Sequence, residues 1–289
     1  MRNLPEGLVA RLVRTALLED LGPGDLTCEA LISDDLKALG VISAGSPLIL
    51  AGMETAQQAF RALDPAVVFG RAARPGDSLA AGATILEVEG NAAAILAAER
   101  TALNFLGRLS GIATLTRRCV SAVAATGAAI YDTRKTTPGL RLLEKDAVRL
   151  GGGMNHRFGL FDAVLIKDNH LVLSGGPGAA VRKARALHGD HVTVEVEVET
   201  LEGLDEALEA GADIVLLDNM TVQMVEQAVR HKRAAGSRAQ LEASGGITLE
   251  NIQAFAGTGV ERISLGALTH SAPSADVSLT LRPIGSKGA

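Results

Sequence analysis

The chain has no tryptophan and one tyrosine, and aromatic residues make up 2% of its 289 positions. That is too few for the base-stacking platforms of single-strand nucleic-acid binders or the aromatic belts of membrane proteins. A basic excess is also missing. The formal net charge is -5, so the electrostatic footprint expected of a nucleic-acid partner is absent, although a local basic pocket for a small anion is not excluded. The two cysteines, Cys28 and Cys119, share no metal-type or redox spacing and read as reduced thiols of a cytoplasmic protein. No apolar run approaches the ~18–20 residues of a membrane span. Arg2, Glu6, Arg11, Arg14, Glu19 and Asp20 leave no place for a signal-peptide core. No nucleic acid and no membrane are expected as partners.

What is present is an ordinary globular composition, 47% hydrophobic and 21% charged, with length for one barrel or a barrel plus a small domain. Residues 4–21 carry Leu8, Leu12, Val13, Ala16 and Leu17 at helical spacing and stop at Leu21-Gly22-Pro23-Gly24. Between about 37 and 90, short apolar runs around Val41, Pro47–Leu50, Val67–Phe69 and Thr84–Val88 read as strands. Arg74-Pro75-Gly76-Asp77 reads as a turn, and residues 91–125 return to an alanine-rich helical texture. From residue 128 the pattern is regular. Strands are expected at Ala129–Thr133, Ala163–Lys167, Thr193–Val198, Ile214–Asp218, Gln240–Ser244 and Arg262–Gly266. Helices are expected near 141–150, 177–188, 202–210, 221–235 and 248–257. This alternation predicts parallel βα units, and the spacing alone leaves a closed barrel and an open sheet both possible. A last strand-like run, Val277–Leu281, is positioned to return to the first domain.

The ends of the predicted strands collect reactive residue types. In order they carry Arg134-Lys135, Lys167-Asp168-Asn169-His170, Glu197-Val198-Glu199, Asp218-Asn219, Ser244-Gly245-Gly246 and Ser264-Leu265-Gly266. In a parallel α/β protein these ends share one face, where βα loops build active sites. Any one charge there would ordinarily be a solvated loop residue; six decorated ends together point to a site. Thr133–Arg141 offers three cations and three hydroxyls, suited to carboxylates and phosphates. Gly151–Arg157 sets His156 and Arg157 beside three glycines that let backbone approach a ligand closely. Lys167 ends an apolar run, so it must reach a cavity or an ion partner.

Val194–Glu199 alternates three valines with three glutamates. Such alternation usually marks an exposed edge strand. In a helix-covered parallel sheet, the glutamates must instead point into a polar barrel mouth. Glu197 and Asp218, with no histidine or cysteine cluster beside them, suit Mg2+ arriving with a phosphate ligand. The glycine-rich ends at Ser244–Gly246 and Ser264–Gly266, leading into helix N-termini, suit phosphate. No Ser–His–Asp or Cys–His pairing is evident, so catalysis would rest on positioning and charge stabilisation.

These motifs resemble the quinolinate phosphoribosyltransferase family nearly end to end. The likeness is carried by Glu19–Thr27, Ala98–Asn104, Asp132–Arg141, Gly151–Arg157, Leu165–His170, Val194–Glu199, Leu217–Met220 and Ser244–Ile247. It implies an α/β fold, an incomplete α/β barrel with an N-terminal α+β sandwich domain. The expected divisions are 1-115 for the N-terminal domain, 116-270 for the catalytic barrel and 271-289 for a C-terminal segment returning to the first domain. The implied activity is transfer of phosphoribose from phosphoribosyl pyrophosphate (PRPP) to quinolinate with decarboxylation, a transferase step of pyridine-nucleotide (NAD) biosynthesis. A homodimer with shared active sites, or a higher oligomer, is implied with it.

By the resemblance, Arg134, His156, Arg157 and Lys167 surround the two carboxylates, and Arg100 of the partner subunit completes the pocket. Glu197 and Asp218 hold ribose and Mg2+. Lys135, Ser244, Gly245, Gly246 and Gly266 take phosphate, with Thr133 and Ser264 beside them. Lys167, Glu197 and Asp218 are the candidate catalytic residues. One departure is Asp146, where many relatives carry tyrosine; it reads as peripheral. A paralogous group associated with molybdate transport operons shares the Thr-Arg-Lys and triple-glycine pattern but departs at Ile166–His170.

Two other readings are weaker. A Schiff-base aldolase would need a neutral Lys167, which the surrounding acids oppose. A lipoyl- or biotinyl-carrier module is suggested by the strand–turn texture near Arg74–Val88, but Glu89-Gly90-Asn91-Ala92 lacks the required lysine.

Overall fold

The computed structural model describes residues 6–284, which divide into two compact units. One is built from the chain up to Leu115, Pro138–Gly151 and the stretch from Ala272; the other from Thr116–Thr137 and Gly152–Ser271. In chain order the elements are α1 (Glu6–Leu21), α2 (Leu26–Leu31), β1 (Lys37–Ala44), β2 (Leu48–Ile49), α3 (Met53–Leu63) and β3 (Val68–Ala72). Next come β4 (Ser78–Leu79), β5 (Thr84–Asn91), α4 (Ala92–Ala122), β6 (Ala129–Tyr131), α5 (Arg141–Leu150), β7 (Val164–Ile166) and α6 (Asp168–Ser174). The chain continues with α7 (Pro177–His188), β8 (Val194–Val198), α8 (Leu201–Glu209), β9 (Ile214–Asp218), α9 (Val222–Ala234) and β10 (Gln240–Ser244). It ends with α10 (Ile252–Gly257), β11 (Arg262–Ser264), α11 (Ala267–His270) and β12 (Val277–Ile284).

In the first unit a four-stranded antiparallel sheet runs β12-β1-β5-β3. Strand β1 alternates strictly, with Ala38, Gly40, Ile42 and Ala44 inward. Gly40 is required there, because a Cβ would lie 2.9 Å from side-chain atoms of Val88 and Leu279 on the two flanking strands. Helix α1 buries Val9, Val13 and Leu17, one face at four-residue spacing. The short helix α2, which periodicity does not reveal, is nucleated by Asp25, whose side chain accepts from the N–H groups of Thr27 and Cys28. The alanine-rich α4 buries Ala98, Ala102, Leu106, Leu109 and Ile112 along its length. Its Gly107 and Gly111 let the returning chain cross at close range. A Cβ on Gly111 would lie 2.0 Å from the Pro273 carbonyl oxygen, and Ala275 N–H donates to Gly107 O at 2.8 Å.

That crossing delivers β12 to the edge of the β1 sheet in antiparallel register, Lys37 opposite Ile284 and Ala44 opposite Val277. Helix α5 belongs to the first unit and not to the unit of the parallel strands that flank it in sequence. Its Glu144 is fully buried and accepts from Arg108 of α4 at 2.8 Å, a contact that periodicity cannot reveal.

The second unit is a six-stranded parallel sheet ordered β7-β8-β9-β10-β11-β6. The strands follow one another in sequence except that β6 lies beside β11, so the barrel is open between β6 and β7. Part of that gap is taken by the segment at Met154. Met154 N–H donates to Ile130 O at 2.7 Å, and Asp132 N–H donates to Met154 O at 3.1 Å. Strand β9 is buried on both faces from Ile214 to Leu217, as expected where helices cover a parallel sheet.

Candidate active site at the strand ends

Strand register decides which side chains meet. Leu165 pairs Glu195, Glu195 pairs Ile214, and Glu197 pairs Leu216. Leu216 pairs Glu242, Asp218 pairs Ser244, Glu242 pairs Arg262, and Ser264 pairs Tyr131. Paired residues of a parallel sheet point to the same face, and so do residues two apart. One face therefore carries Glu195, Glu197, Asp218, Glu242, Ser244, Arg262 and Ser264, with Lys167 following Ile166 in the register of Glu197. This polar face is graded. Glu195, Glu242 and Arg262 are buried, Glu197, Asp218 and Ser244 are half-buried, and Glu199 is exposed. The three glutamates of β8 are thus one ladder from interior to surface.

At the mouth, Lys167 Nζ and Glu197 Oε2 are 2.9 Å apart. The backbone N–H of Lys167 donates to His170 Nδ1 at 2.9 Å, which assigns His170 to shaping the loop. Asp218 Oδ2 accepts from Asn219 Nδ2 at 2.7 Å. Asn219 adopts φ 53, a left-handed conformation uncommon for a side-chain-bearing residue. It packs so tightly on Gly245 that a Cβ there would lie 2.2 Å from Asn219 Oδ1. Gly245 and Gly246 have φ of 94 and 62, and a Cβ on Gly246 would meet open space. Helix α10 starts only at Ile252 rather than 248. Asn251 Oδ1 accepts from Thr248 N–H at 2.8 Å and holds the preceding turn, so the Gly245-Gly246 amides precede a turn and not a helix N-terminus.

After β6, Thr133 Oγ1 accepts from the Lys135 N–H at 3.0 Å, and Thr269 Oγ1 donates to Lys135 O at 2.7 Å. A Cβ on Gly266 would lie 3.0 Å from His270 Nε2 and 3.1 Å from Lys135 Cδ, so Lys135, Gly266 and His270 share one corner. Arg157 Nη1 donates to Ala163 O at 3.1 Å, while its buried Nε has no hydrogen-bond partner among the described residues. Burial, and then the positive charge of Arg134, depress the Arg157 pKa. Two guanidinium groups held this close are suited to a multiply charged anion.

His156 is placed differently from the other cations. Its Nε2 faces Glu195 Oε2 at 2.9 Å and Glu242 Oε1 at 3.6 Å, and its Nδ1 accepts from the Arg157 backbone N–H at 2.8 Å. Both ring nitrogens are used within the protein. Burial opposes charging of the ring; the hydrogen bond and charge of Glu195, with the charge of Glu242, outweigh it and raise the pKa. Asp132, fully buried, pins the same loop by accepting from His156 N–H at 2.8 Å and Asn155 Nδ2 at 2.6 Å. Arg262 Nε donates to Glu242 Oε2 at 2.6 Å, and its guanidinium lies 3.9 Å from the Tyr131 ring centroid. The carboxyl pKa of Glu242 is raised by burial and then by Glu195. His156, Glu195 and Glu242 have a metal-like clustering. Arg262 bonds one Glu242 oxygen and the His156 ring bonds Glu195, while the second Glu242 oxygen faces the ring at 3.6 Å, so the trio reads as an ion-pair network.

Arg100 belongs to the first unit, on α4, where it lines a cavity of about 440 Å³ with Asn104, Arg108 and residues 274–277. Asp146, also in that unit, accepts from Arg149 at 2.6 Å one turn later. Sequence reading singled out the mouth but gave no role to Glu242, Arg262, Asp132 or Asn219. A signal for two of them was available. Glu242 precedes Ser244, and Arg262 precedes Ser264, by the two-residue period that already relates Glu195 to Glu197.

An open parallel barrel with cations, carboxylates and glycine turns at one end defines an enzyme that handles a polyanionic substrate by positioning and charge. The chain belongs to the quinolinate phosphoribosyltransferase family. Residues 25–110 match the model of the quinolinate phosphoribosyl transferase N-terminal domain and residues 112–280 that of the C-terminal domain. It is 47% identical over 270 residues to a probable nicotinate-nucleotide pyrophosphorylase (carboxylating) of Bacillus subtilis, covering 93% of this chain and 92% of that one. It is 42% identical to the nicotinate-nucleotide pyrophosphorylase (carboxylating) of Mycobacterium leprae, covering 93% and 95%. The solved structure of the Francisella tularensis nicotinate-nucleotide pyrophosphorylase superposes with a TM-score of 0.92 at 41% identity, covering 97% of this chain and 98% of that one.

Proposed function

We propose that this chain makes nicotinate mononucleotide from quinolinate and PRPP, releasing pyrophosphate and CO2 in NAD biosynthesis. The observation that carries the reading is the single polar barrel face that brings Lys167, Glu197, Asp218, Ser244 and Ser264 to the strand ends at two successive register levels, with Arg134 close enough to Arg157 to depress its pKa. Pyrophosphate leaves C1′ as positive charge develops there, and the quinolinate nitrogen bonds to C1′. The resulting pyridinium accepts the electron pair left when the 2-carboxylate departs as CO2, and that ring carbon then takes up a proton.

Arg134, Arg157 and Lys167 hold the diacid. Glu197 and Asp218 face the ribose and, as hard oxygen donors on one face, fit Mg2+ brought in by PRPP. That ion would neutralise charge on the departing pyrophosphate. Lys135, Gly245, Gly246 and Gly266, with Thr133, Ser244 and Ser264, take phosphate groups. His156 lines the diacid pocket with Arg134, Arg157 and Lys167, and holds the Arg157 backbone through Nδ1.

The working form is a homodimer in which Arg100 of the partner subunit completes the diacid pocket. In support, Leu160, Phe161, Val172 and Leu173 of the barrel unit are largely exposed, an apolar surface suited to a second copy. The cytoplasm is the proposed location. Both cysteines are free thiols, and among the described residues no helix is long and apolar enough to cross a membrane.

The purified protein with quinolinate, PRPP and Mg2+ is expected to release CO2 and pyrophosphate with nicotinate mononucleotide. Equal turnover of nicotinate, or no product, would overturn the reading.

A further inference from the structure

The deep end of the polar barrel face takes no part in the reaction as written, yet it buries three charged side chains. Glu195, Glu242 and Arg262 are charged side chains 2%, 0% and 8% exposed, and burying such groups is costly unless each is paired. Arg262 pairs with Glu242 Oε2 and stacks on Tyr131. The other Glu242 oxygen is buried without a hydrogen-bond partner among the described residues and faces His156 Nε2 at 3.6 Å. Glu195 Oε2 faces the same nitrogen at 2.9 Å.

These contacts determine where the imidazole proton resides. Two carboxylates facing Nε2 require a proton on that atom. The Arg157 backbone N–H pointing at Nδ1 requires a bare lone pair there, because two donors cannot share one bond. Asp132 fixes the His156 backbone by accepting from its N–H at 2.8 Å. The ring is thus a rigid strut between the buried acids and the backbone of Arg157.

We propose that Glu195, backed by Glu242 and Arg262, is a positioning residue for the diacid pocket: it holds His156 as the Nε2–H tautomer, leaving Nδ1 to fix the backbone of Arg157. The proposal rests on the reading of Arg157 as a ligand of quinolinate. His156 then acts on the pocket through the backbone of Arg157. A second proton, arriving at Nδ1, breaks the bond to Arg157 and loosens the pocket. The charged groups facing the ring are Glu195, Glu242 and Arg262, with Asp132 on its backbone, so removing a carboxylate makes that second proton harder to acquire.

The test uses the full-length enzyme with 15N-labelled histidine. The resting wild-type protein is expected to show the Nε2–H tautomer for His156, and Glu195→Met to lose it. Glu195→Met should raise KM for quinolinate about tenfold to a hundredfold, the scale of a small misplacement, with KM for PRPP moved by less than about twofold. Glu195→Gln, whose amide oxygen still accepts from Nε2–H, should recover most of that loss. In the wild type, KM for quinolinate should rise as pH falls, and Glu242→Gln should move that rise to lower pH. If Glu195→Met does not fold, the Gln variants and the tautomer still decide. An Nδ1–H tautomer in the wild type, equal KM changes for both substrates, or an unmoved pH profile would overturn the proposal. A wild type that makes no nicotinate mononucleotide overturns the reaction instead, and the tautomer remains readable in the resting protein.

Discussion

Lys167 and Glu197 face each other across neighbouring strands, Nζ to Oε2 2.9 Å, at the one register level where an apolar strand ends in a cation beside a glutamate. The lysine side chain is 48% exposed, so this pair adds at most about 1 kcal/mol to stability. Its value lies in aiming both groups at the mouth. Lys167→Met should therefore leave the thermal midpoint nearly unchanged while lowering kcat/KM for quinolinate by about a hundredfold or more. Steady-state kinetics beside a calorimetric scan separates the two effects.

Arg157 is held by its Nη1 bond to Ala163 O, and its buried Nε has no hydrogen-bond partner among the described residues. Arg157→Lys keeps the charge but loses the planar fork that grips a carboxylate at two points. KM for quinolinate should rise by about tenfold or more, roughly 1.4 kcal/mol of lost binding, with PRPP binding measured by calorimetry little changed.

Arg262 and Glu242 form a buried pair, and breaking one half leaves an uncompensated charge. Arg262→Met should destabilise the chain by about 3–5 kcal/mol in urea titration. The double variant with Glu242→Gln should recover much of that loss. Additive losses in the cycle would show that the two side chains do not act as a pair.

Gly111 sits in the middle of α4, where alanine would ordinarily be favoured by about 1 kcal/mol. Here a Cβ would lie 2.0 Å from the Pro273 backbone oxygen, which cannot rotate away. Gly111→Ala should therefore be net destabilising, by about 1–3 kcal/mol, because it displaces the strand returning to β1. Equilibrium unfolding checks the sign.

Cys119 is 1% exposed, and burial pushes its thiol up to about 11. Cys28 is raised to about 11 as well, by burial and then by its hydrogen bond to Asp25. Both pKa values lie above the ordinary thiol value, so neither group forms much thiolate at pH 8.5 in the folded protein. Iodoacetamide at that pH should label neither cysteine by mass spectrometry until denaturant is added, when both react.

Much of the site is legible in one dimension because parallel topology is so restrictive. Once strands are assigned at Ile214–Asp218 and Gln240–Ser244, which coincide with β9 and β10, all strand ends must share one face, and Lys167, Asp218 and Ser244 follow. The three glutamates of Val194–Glu199 are placed on one side by period two alone. The scarcity of aromatic residues likewise speaks against stacking platforms before any coordinate is known.

Depth, partner choice and chain return were decided by the tertiary structure. Glu195 is an internal partner of His156, Glu197 a partner of Lys167 and Glu199 a surface residue, although local sequence treats all three alike. His156 reads as a pocket residue beside three glycines, and only the fold shows both its nitrogens bonded to residues 39 positions away and one position away. The pairing of β12 with β1 depends on Gly107 and Gly111 of a helix distant in sequence from both. Alternation and strand ends are local properties that a chain carries in its residue order. Burial, ion pairing and close backbone crossings are set by register between distant segments, and they exist only once the sheets have formed.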